Sequence, residues 1–600
     1  MPDQEEQAMG GRGERDARPV VSLDHVSFSY EGSDVWALDD VSLEVPQGDF
    51  LGVIGPSGAG KTTLSAVLSG AIPHHYRGTF QGVATVCGMD TVEAKLTDVS
   101  QRVGSVLQDI SAQMVAANVE DEMLFGLENF GVSHDQISSR VEGALAACGI
   151  SDLAHRDIDT LSGGQRQKVA IAAILAIRPQ VMVLDEPTAA LDPASSRAVF
   201  ETLARLRREE GITVVVVEQK VALLSEFCDH VAVLSRGRLA FLGTPREVFS
   251  HAQELRDLGV DSPRVTRVGN LLFREGLTAE RRVCLTVGEA ERAVEDVVGQ
   301  RVGSLSMIEH PAAARMSPPH GPAAPAGGKK VLTLDHVGFS YGPGQASLSD
   351  VSLEVRAGEL VGVVGQNGAG KTTLTKLVNG LLKPTAGRVS VCGLDTRGAR
   401  TSQVAHHVST LFQNPDRQIC KETVVEEVAF SLQLLGVDDE AAFERARDTV
   451  DHFGLPADAA PFSLSRGQRQ IVALASVVVC DPQLLLLDEP TSGLDYRECM
   501  VVMDAVNAAR EDGAAVVMVC HDMEVASDFA TRLVVMAKGR VLADGAPGEL
   551  FRDEALMESA SIRPPQVSDL ARRLERSVSP AYAGVTEVRQ VVDVTKGLVA

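Results

Sequence analysis

The sequence predicts an α/β fold built twice in tandem, each unit a parallel-sheet core carrying a phosphate-binding loop and each followed by a short helical extension. Three observations predict it: long segments of the first half recur in the second, one type of glycine-rich loop follows an apolar run in both halves, and apolar runs alternate with helical patterns.

LDHVSFSY (23–30) returns as LDHVGFSY (334–341), and DDVSLEVPQGDFLGVIGPSGAGKTTL (39–64) returns as SDVSLEVRAGELVGVVGQNGAGKTTL (349–374). The separation of matched residues drifts only from 311 (Tyr30 to Tyr341) to 303 (Asp185 to Asp488), so a whole unit was copied. A chain of 600 residues also exceeds what one core supports. The expected division is a charged, disordered tail at 1–18, a first unit at 19–250, a helical extension at 251–305, a linker at 306–330, a second unit at 331–555 and a C-terminal extension at 556–600.

Within each unit the strands come from runs such as GDFLGVIG, QVMVLDE and TVVVVE, which are almost continuously apolar, the pattern of strands buried on both faces. HPAAARMSPPHGPAAPAGGKK (310–330) is rich in Pro, Ala and Gly and reads as a linker. DSPRVTRVGNLLFREG (261–276) parallels RPPQVSDLARRLERS (563–577), which gives each unit its helical extension.

Composition sets the class. Apolar residues make up 44% of the chain and mean hydropathy is near zero, as in a soluble globular protein. The apolar runs fall short of the roughly 18 residues needed to span a bilayer, and the first residues carry no apolar leader. A formal charge of −25 opposes general nucleic-acid binding, which needs clustered Lys and Arg. Nine cysteines without C-x-x-C spacing fit a reduced compartment rather than a zinc site.

GPSGAGKTT (55–63) and GQNGAGKTT (365–373) fit the G-x-x-x-x-G-K-[ST] phosphate loop. Gly55, Ser57, Gly58, Gly60 and Thr63, with Gly365, Asn367, Gly368, Gly370 and Thr373, would curl backbone N–H groups round phosphate oxygens. Lys61 and Lys371 would reach the β- and γ-phosphates, and Thr62 and Thr372 would ligate Mg²⁺. VMVLDEP (181–187) and LLLLDEP (484–490) end buried strands on paired carboxylates. Asp185 and Asp488 suit the Mg²⁺ shell, and Glu186 and Glu489 suit polarisation of an attacking water. The alternative, an Asp-Glu-Pro that merely ends a strand, loses weight because a phosphate loop lies upstream in both copies.

LSGGQRQKVAIA (161–172) and LSRGQRQIVALA (464–475) complete a set that strongly resembles the ATP-binding cassette (ABC) ATPases. The resemblance covers nearly all of 20–250 and 331–555. It implies two nucleotide-binding domains, each with a phosphate-loop core, an antiparallel β subdomain and a helical subdomain. It also implies head-to-tail pairing, with ATP between the phosphate loop of one unit and the signature of the other. By that resemblance Tyr30 and Tyr341 stack on adenine, a core aromatic being the other reading. Gln108 and Gln413 lie near Mg²⁺ and the attacking water, and Asp192 and Asp495 form loops that cross the interface (D-loops).

LFQNPDRQI (411–419), then VVEEVAFSLQLLG (424–436), looks like the corresponding segment of energy-coupling-factor (ECF) importers, whose ATPases resemble cobalt-type cassettes; VLQDISAQM (106–114) keeps the outline less faithfully. That resemblance implies docking on a membrane scaffold (T-type) subunit and, through it, on a membrane protein that captures a vitamin or metal ion. It implies a peripheral place on the cytoplasmic face of the membrane, with no nucleic-acid partner. Gln113 and Gln418 are candidate docking contacts or simply solvated residues. A sugar-type importer ATPase and a soluble ribosome-associated cassette protein are the competing readings.

The copies differ at the tip of one strand: VVVVEQK (214–220) ends on Gln219 where VVMVCHD (516–522) ends on His521, the residue type the family places against the γ-phosphate and water. Head-to-tail pairing joins Lys371, Glu489 and His521 with Ser162, Gly163, Gly164 and Gln165. It joins Lys61, Glu186 and Gln219 with Ser465, Arg466, Gly467 and Gln468. Both departures, Gln219 and Arg466, then fall in one composite site, and Arg466 would strain the backbone if its φ were positive. The expectation is a first site that binds ATP and turns over slowly.

Overall fold

In the computed structural model the described residues are 19–108, 110–189, 191–302, 328–342 and 346–599. The tail expected at 1–18 and residues 306–327 of the expected linker lie outside them.

Each unit contains a six-stranded and a four-stranded sheet. In the first, parallel strands run in the order Val103–Val106, Val181–Asp185, Thr213–Val217, Phe50–Ile54 and His230–Ser235, and Arg238–Gly243 is antiparallel at the edge. The second unit repeats the order with Val408–Leu411, Leu484–Asp488, Ala515–Val519, Leu360–Val364, Arg532–Ala537 and Arg540–Gly545. Antiparallel sheets built on Val21–Tyr30 and Lys330–Ser340 lie beside them.

The continuous apolar runs are explained by burial on both faces. Along Thr213–Val217, Val214 and Val216 join the core under the helices, whereas Val215 and Val217 join the core shared with the antiparallel sheet. Alternate side chains point to opposite faces, so a strand covered on both sides must be apolar throughout. Phosphate loop and acidic pair thereby emerge together at the carboxyl edge of the sheet.

Helices Val119–Asn129 and His134–Cys148 pack on Gly163–Ala176, and Val424–Leu434 and Asp439–His452 pack on Arg466–Val478, forming a helical lobe in each unit. Ser162 and Ser465 start the signature helices through capping boxes with Gln165 and Gln468.

Beyond the cassettes, helices Arg264–Arg274 and Val287–Val302 pack with Gln566–Ser577 and Val588–Val599 into one cluster. Val265, Val268 and Leu272 from the first half and Val567, Leu570 and Leu574 from the second share a core, each set spaced by three or four residues. Glu275 closes its rim, accepting from Arg589 at 2.7 Å and Lys596 at 2.8 Å. The two extensions thus join the halves. Leu272→Ala and Leu574→Ala should each destabilise this cluster by about 2–5 kcal/mol, read as an earlier first transition in scanning calorimetry of the full chain.

Candidate functional site

Two side-chain clusters of matched construction form around the phosphate loops. In the first, Gly55 has φ 158°, and a Cβ there would lie 2.2 Å from the Leu234 carbonyl; Gly365 stands in the same relation to Met536 O at 2.1 Å. Only glycine fits, which is why these loops can curl so tightly. Lys61 is buried, its Nζ donating to Gly55 O (2.7 Å) and Pro56 O (2.8 Å); Lys371 donates to Gly365 O (2.7 Å) and Gln366 O (3.0 Å). Burial pulls both lysines below the usual range, against carboxylates that pull the other way. Those carboxylates come from both halves: Glu186, Asp495, Asp185 and Glu498 act on Lys61, and Glu489, Asp488 and Asp192 act on Lys371.

Glu186 and Glu489 occupy the left-handed region, at φ 47° and 54°. Such backbone costs on the order of 1–3 kcal/mol and concentrates at functional positions. Glu186 accepts from the amides of Gln108 (2.7 Å) and Gln219 (3.0 Å). Glu489 accepts from Gln413 Nε2 (2.9 Å) and pairs with His521 Nε2 (2.8 Å). Gln219 therefore stands where His521 stands, on the same carboxylate oxygen. The electrostatic result differs. Burial raises Glu186, the Gln219 hydrogen bond offsetting this only in part, whereas burial of Glu489 is outweighed by the hydrogen bond and charge of His521, leaving it lowered.

Thr62 hydrogen-bonds Asp185, and Thr372 hydrogen-bonds Asp488, whose carboxyl burial raises to about 6. With the Gln108 and Gln413 side chains close by on the glutamates, each pocket gathers the hard oxygen donors that suit Mg²⁺.

The cross-contacts follow the head-to-tail pattern. Asp495 Oδ2 accepts the Ser57 N–H (2.8 Å), and Glu498 Oε2 accepts the Ser57 hydroxyl (2.7 Å). Glu498 also lies over Gly467, where a Cβ would come within 2.1 Å of its carboxylate, so the second signature is brought beside the first phosphate loop through Glu498. In the first unit the matching position is Ser195, whose hydroxyl turns back to Asp192 at 3.1 Å. Sequence reasoning missed Glu498; the D-x-x-E capping pattern from Asp495 was visible, but not the reach across the interface.

Arg466 corrects one expectation. It is the first residue of its helix and is absent from the positive-φ positions, so it brings no backbone strain; its guanidinium lies beside Gly493 of its own unit. Gln113 and Gln418 also differ from the solvated reading. Gln113 accepts the Leu107 N–H at 2.9 Å and donates to Ser105 O, and Gln418 accepts the Phe412 N–H at 3.3 Å, so both brace the backbone before the helices. Tyr30 and Tyr341 place their hydroxyls 3.1 and 3.3 Å from Thr63 and Thr373; the Tyr341 ring is 57% exposed, whereas Tyr30 is half-buried against Phe28 and Tyr76.

Residues 38–189 and 348–492 match the family model described as "ABC transporter". A protein of Methanosarcina acetivorans called "Putative ABC transporter ATP-binding protein" is 34% identical over 94% of this chain and 91% of its own length. This chain belongs to the ABC transporter ATP-binding family. A Caldanaerobacter subterraneus relative with the same description, TTE1589, is 32% identical over 93% of this chain and 96% of its own. The cbiO1 structure from Clostridium perfringens, part of the ABC transporter complex cbiONQ, is 28% identical, aligns 40% of this chain with 95% of its own, and has a TM-score of 0.37. As a tandem ABC ATPase the chain binds ATP, and no helix among the described residues is long and apolar enough to cross a membrane.

A cavity of about 730 Å³ lies between the ABC halves, lined by Gln219, Lys220, Arg264, His521, Asp522 and Glu524 among others. Arg264 of the first extension pairs there with Asp528 (2.6 Å) and Glu524 (3.6 Å), while Glu524 accepts the Gln566 N–H (2.8 Å). Burial, against the pull of Arg264 and the Gln566 N–H and with Asp522 and Asp528 nearby, raises Glu524 to about 7 from 4.5. A raised carboxyl stabilises the fold fully below its unfolded value and loses that contribution as pH rises through the folded one. The melting temperature of Glu524→Gln should therefore improve relative to the native chain from about pH 5 to about pH 8, measured by thermal denaturation across that range.

Proposed function

We propose that this ABC ATPase energises an ECF-type importer for a vitamin or transition-metal ion, working through a membrane scaffold subunit on the cytoplasmic face. The observation that carries this reading is an exposed apolar rim beside both pockets. Leu107 and Phe412, immediately before Gln108 and Gln413, are 54% and 40% exposed, and Val115 and Phe125, on the segment that follows in the first half, are exposed as well. Large apolar side chains left exposed beside a site suit protein contacts. The NPDRQ segment at 414–418 favours the ECF type over a sugar importer. Co-purification of the full chain with a polytopic membrane subunit tests the reading; sedimentation with ribosomes and no membrane partner overturns it.

In each site the phosphate-loop amides and Lys61 or Lys371 hold the phosphates, Tyr30 and Tyr341 border the base, and the opposite signature closes over them. Bound Mg²⁺, held by Thr62, Gln108 and Asp185 or by Thr372, Gln413 and Asp488, would neutralise developing phosphate charge. Glu489 orients and deprotonates the attacking water, and His521, bridging it to the γ-phosphate, can carry charge. Gln219 keeps the hydrogen bond to Glu186 but cannot become a cation. Gln219 and Glu498 lie at the Lys61 site, and the head-to-tail reading adds Arg466 to it, so that site binds ATP and turns it over slowly, and the Lys371 site carries the cycle.

Glu489→Gln should lower steady-state turnover on the order of 10²–10³-fold, and Glu186→Gln should lower it only a few-fold by the same comparison. Phosphate release from the purified full chain, each variant alone, gives the answer; equal losses contradict the proposed division.

A further inference from the structure

We infer that Lys220 is a positioning residue for the opposite ATP site: it belongs to the first half's strand tip, yet it sets the D-loop that faces Lys371. This rests on the head-to-tail reading of the two sites.

Lys220 follows Gln219, and its counterpart after His521 is Asp522. Asp522 does an ordinary local task, accepting the Glu524 and Val525 N–H groups at the start of helix Met523–Phe529. A lysine has no acceptor and cannot do this; Lys220 precedes helix Val221–Phe227 without a side-chain cap. Its ammonium instead folds back into the first unit, donating to Thr188 O (2.9 Å), Leu191 O (3.3 Å) and Ser196 Oγ (2.8 Å). These three acceptors bracket Asp192 and span the turn between Glu186 and helix Pro193–Glu210.

A second group secures the same turn. Glu218, 2% exposed, accepts the Thr188 hydroxyl at 2.5 Å and the Gln219 and Lys220 N–H groups at 2.9 and 3.2 Å. Its counterpart is Cys520, whose thiol reaches only Asp522 O. The first half thus sets a carboxyl and an ammonium, two residues apart, against one D-loop, where the second half has a thiol and a cap. The second D-loop is held from outside, through Asp495 and Glu498 on Ser57.

Asp192 acts electrostatically on Lys371 across the junction. Three hydrogen bonds from one ammonium hold two backbone carbonyls before that aspartate and the Ser196 hydroxyl after it, and charge-assisted bonds are the stronger kind. Adjacent residues therefore serve opposite sites: Gln219 holds Glu186 of the Lys61 site, and Lys220 holds the loop presented to the Lys371 site. A displacement of about 1 Å in such a positioning element can cost up to 10²-fold in rate.

The test uses the purified full chain. Lys220→Met, placed on Glu186→Gln so that only the Lys371 site turns over, should lower kcat about tenfold with little change in KM for ATP, and Lys220→Arg should restore most of it. Hydrogen exchange in residues 188–196 should rise in Lys220→Met and fall back in Lys220→Arg. On Glu489→Gln, Lys220→Met should leave the residual rate unchanged. Unaltered exchange and rate, or equal slowing on both backgrounds, overturns the proposal. Should Glu186→Gln by itself abolish turnover, the unequal division of the sites fails instead, and Lys220→Met in the otherwise native chain still decides between a kcat loss that arginine rescues and no loss.

Discussion

At the first phosphate loop the two halves meet in one direct contact to the backbone, the carboxylate of Asp495 on the amide of Ser57. A residue of the second cassette thereby reaches the phosphate loop of the first, and the Lys61 site takes contacts from both halves. The constraint is geometric before it is chemical. A phosphate loop at the carboxyl edge of a parallel sheet offers N–H groups to an anion, and here the second half adds carboxylates to the first loop. The fused chain supplies that half, and the shared helical cluster of the extensions holds it nearby by burying Leu272 and Leu574 in one core.

Within that frame the copies kept their geometry and changed their chemistry. Gln219 and His521 reach equivalent oxygens of Glu186 and Glu489 at 3.0 and 2.8 Å. Backbone position is therefore conserved between the copies to the level of a hydrogen bond, while only one carries an imidazole. The opposite directions in which burial and the neighbouring residue leave the two glutamates follow from that exchange. Glu498 adds a further difference at the Lys61 site, where the first half places the short Ser195.

Much of this was legible in the sequence because it rests on local or repeated patterns. The duplicated strands, the two phosphate loops and the serine caps of the signature helices each need only a few contiguous residues, and the structure forms each of them in both units. The carboxylate pairs could be matched to Gln108, Gln413, Gln219 and His521 through the family resemblance. What was not legible depends on long side chains crossing between segments. Nothing near Lys220 announces that its ammonium returns to Thr188 and Ser196, and nothing near Arg466 announces that its backbone is helical and unstrained. Gln113 and Gln418 were open to two readings because an exposed-looking amide and a backbone brace have the same sequence.

The unequal division of labour between the two sites is tested most directly by asking which half holds product after one turnover. The full chain is loaded with a photoreactive ATP analogue, allowed a single turnover, irradiated, and cut within residues 306–327 to separate the halves. The account predicts that the second half, with Lys371, carries the diphosphate while the first half, with Lys61, retains the triphosphate. Diphosphate on both halves in equal amount would contradict it.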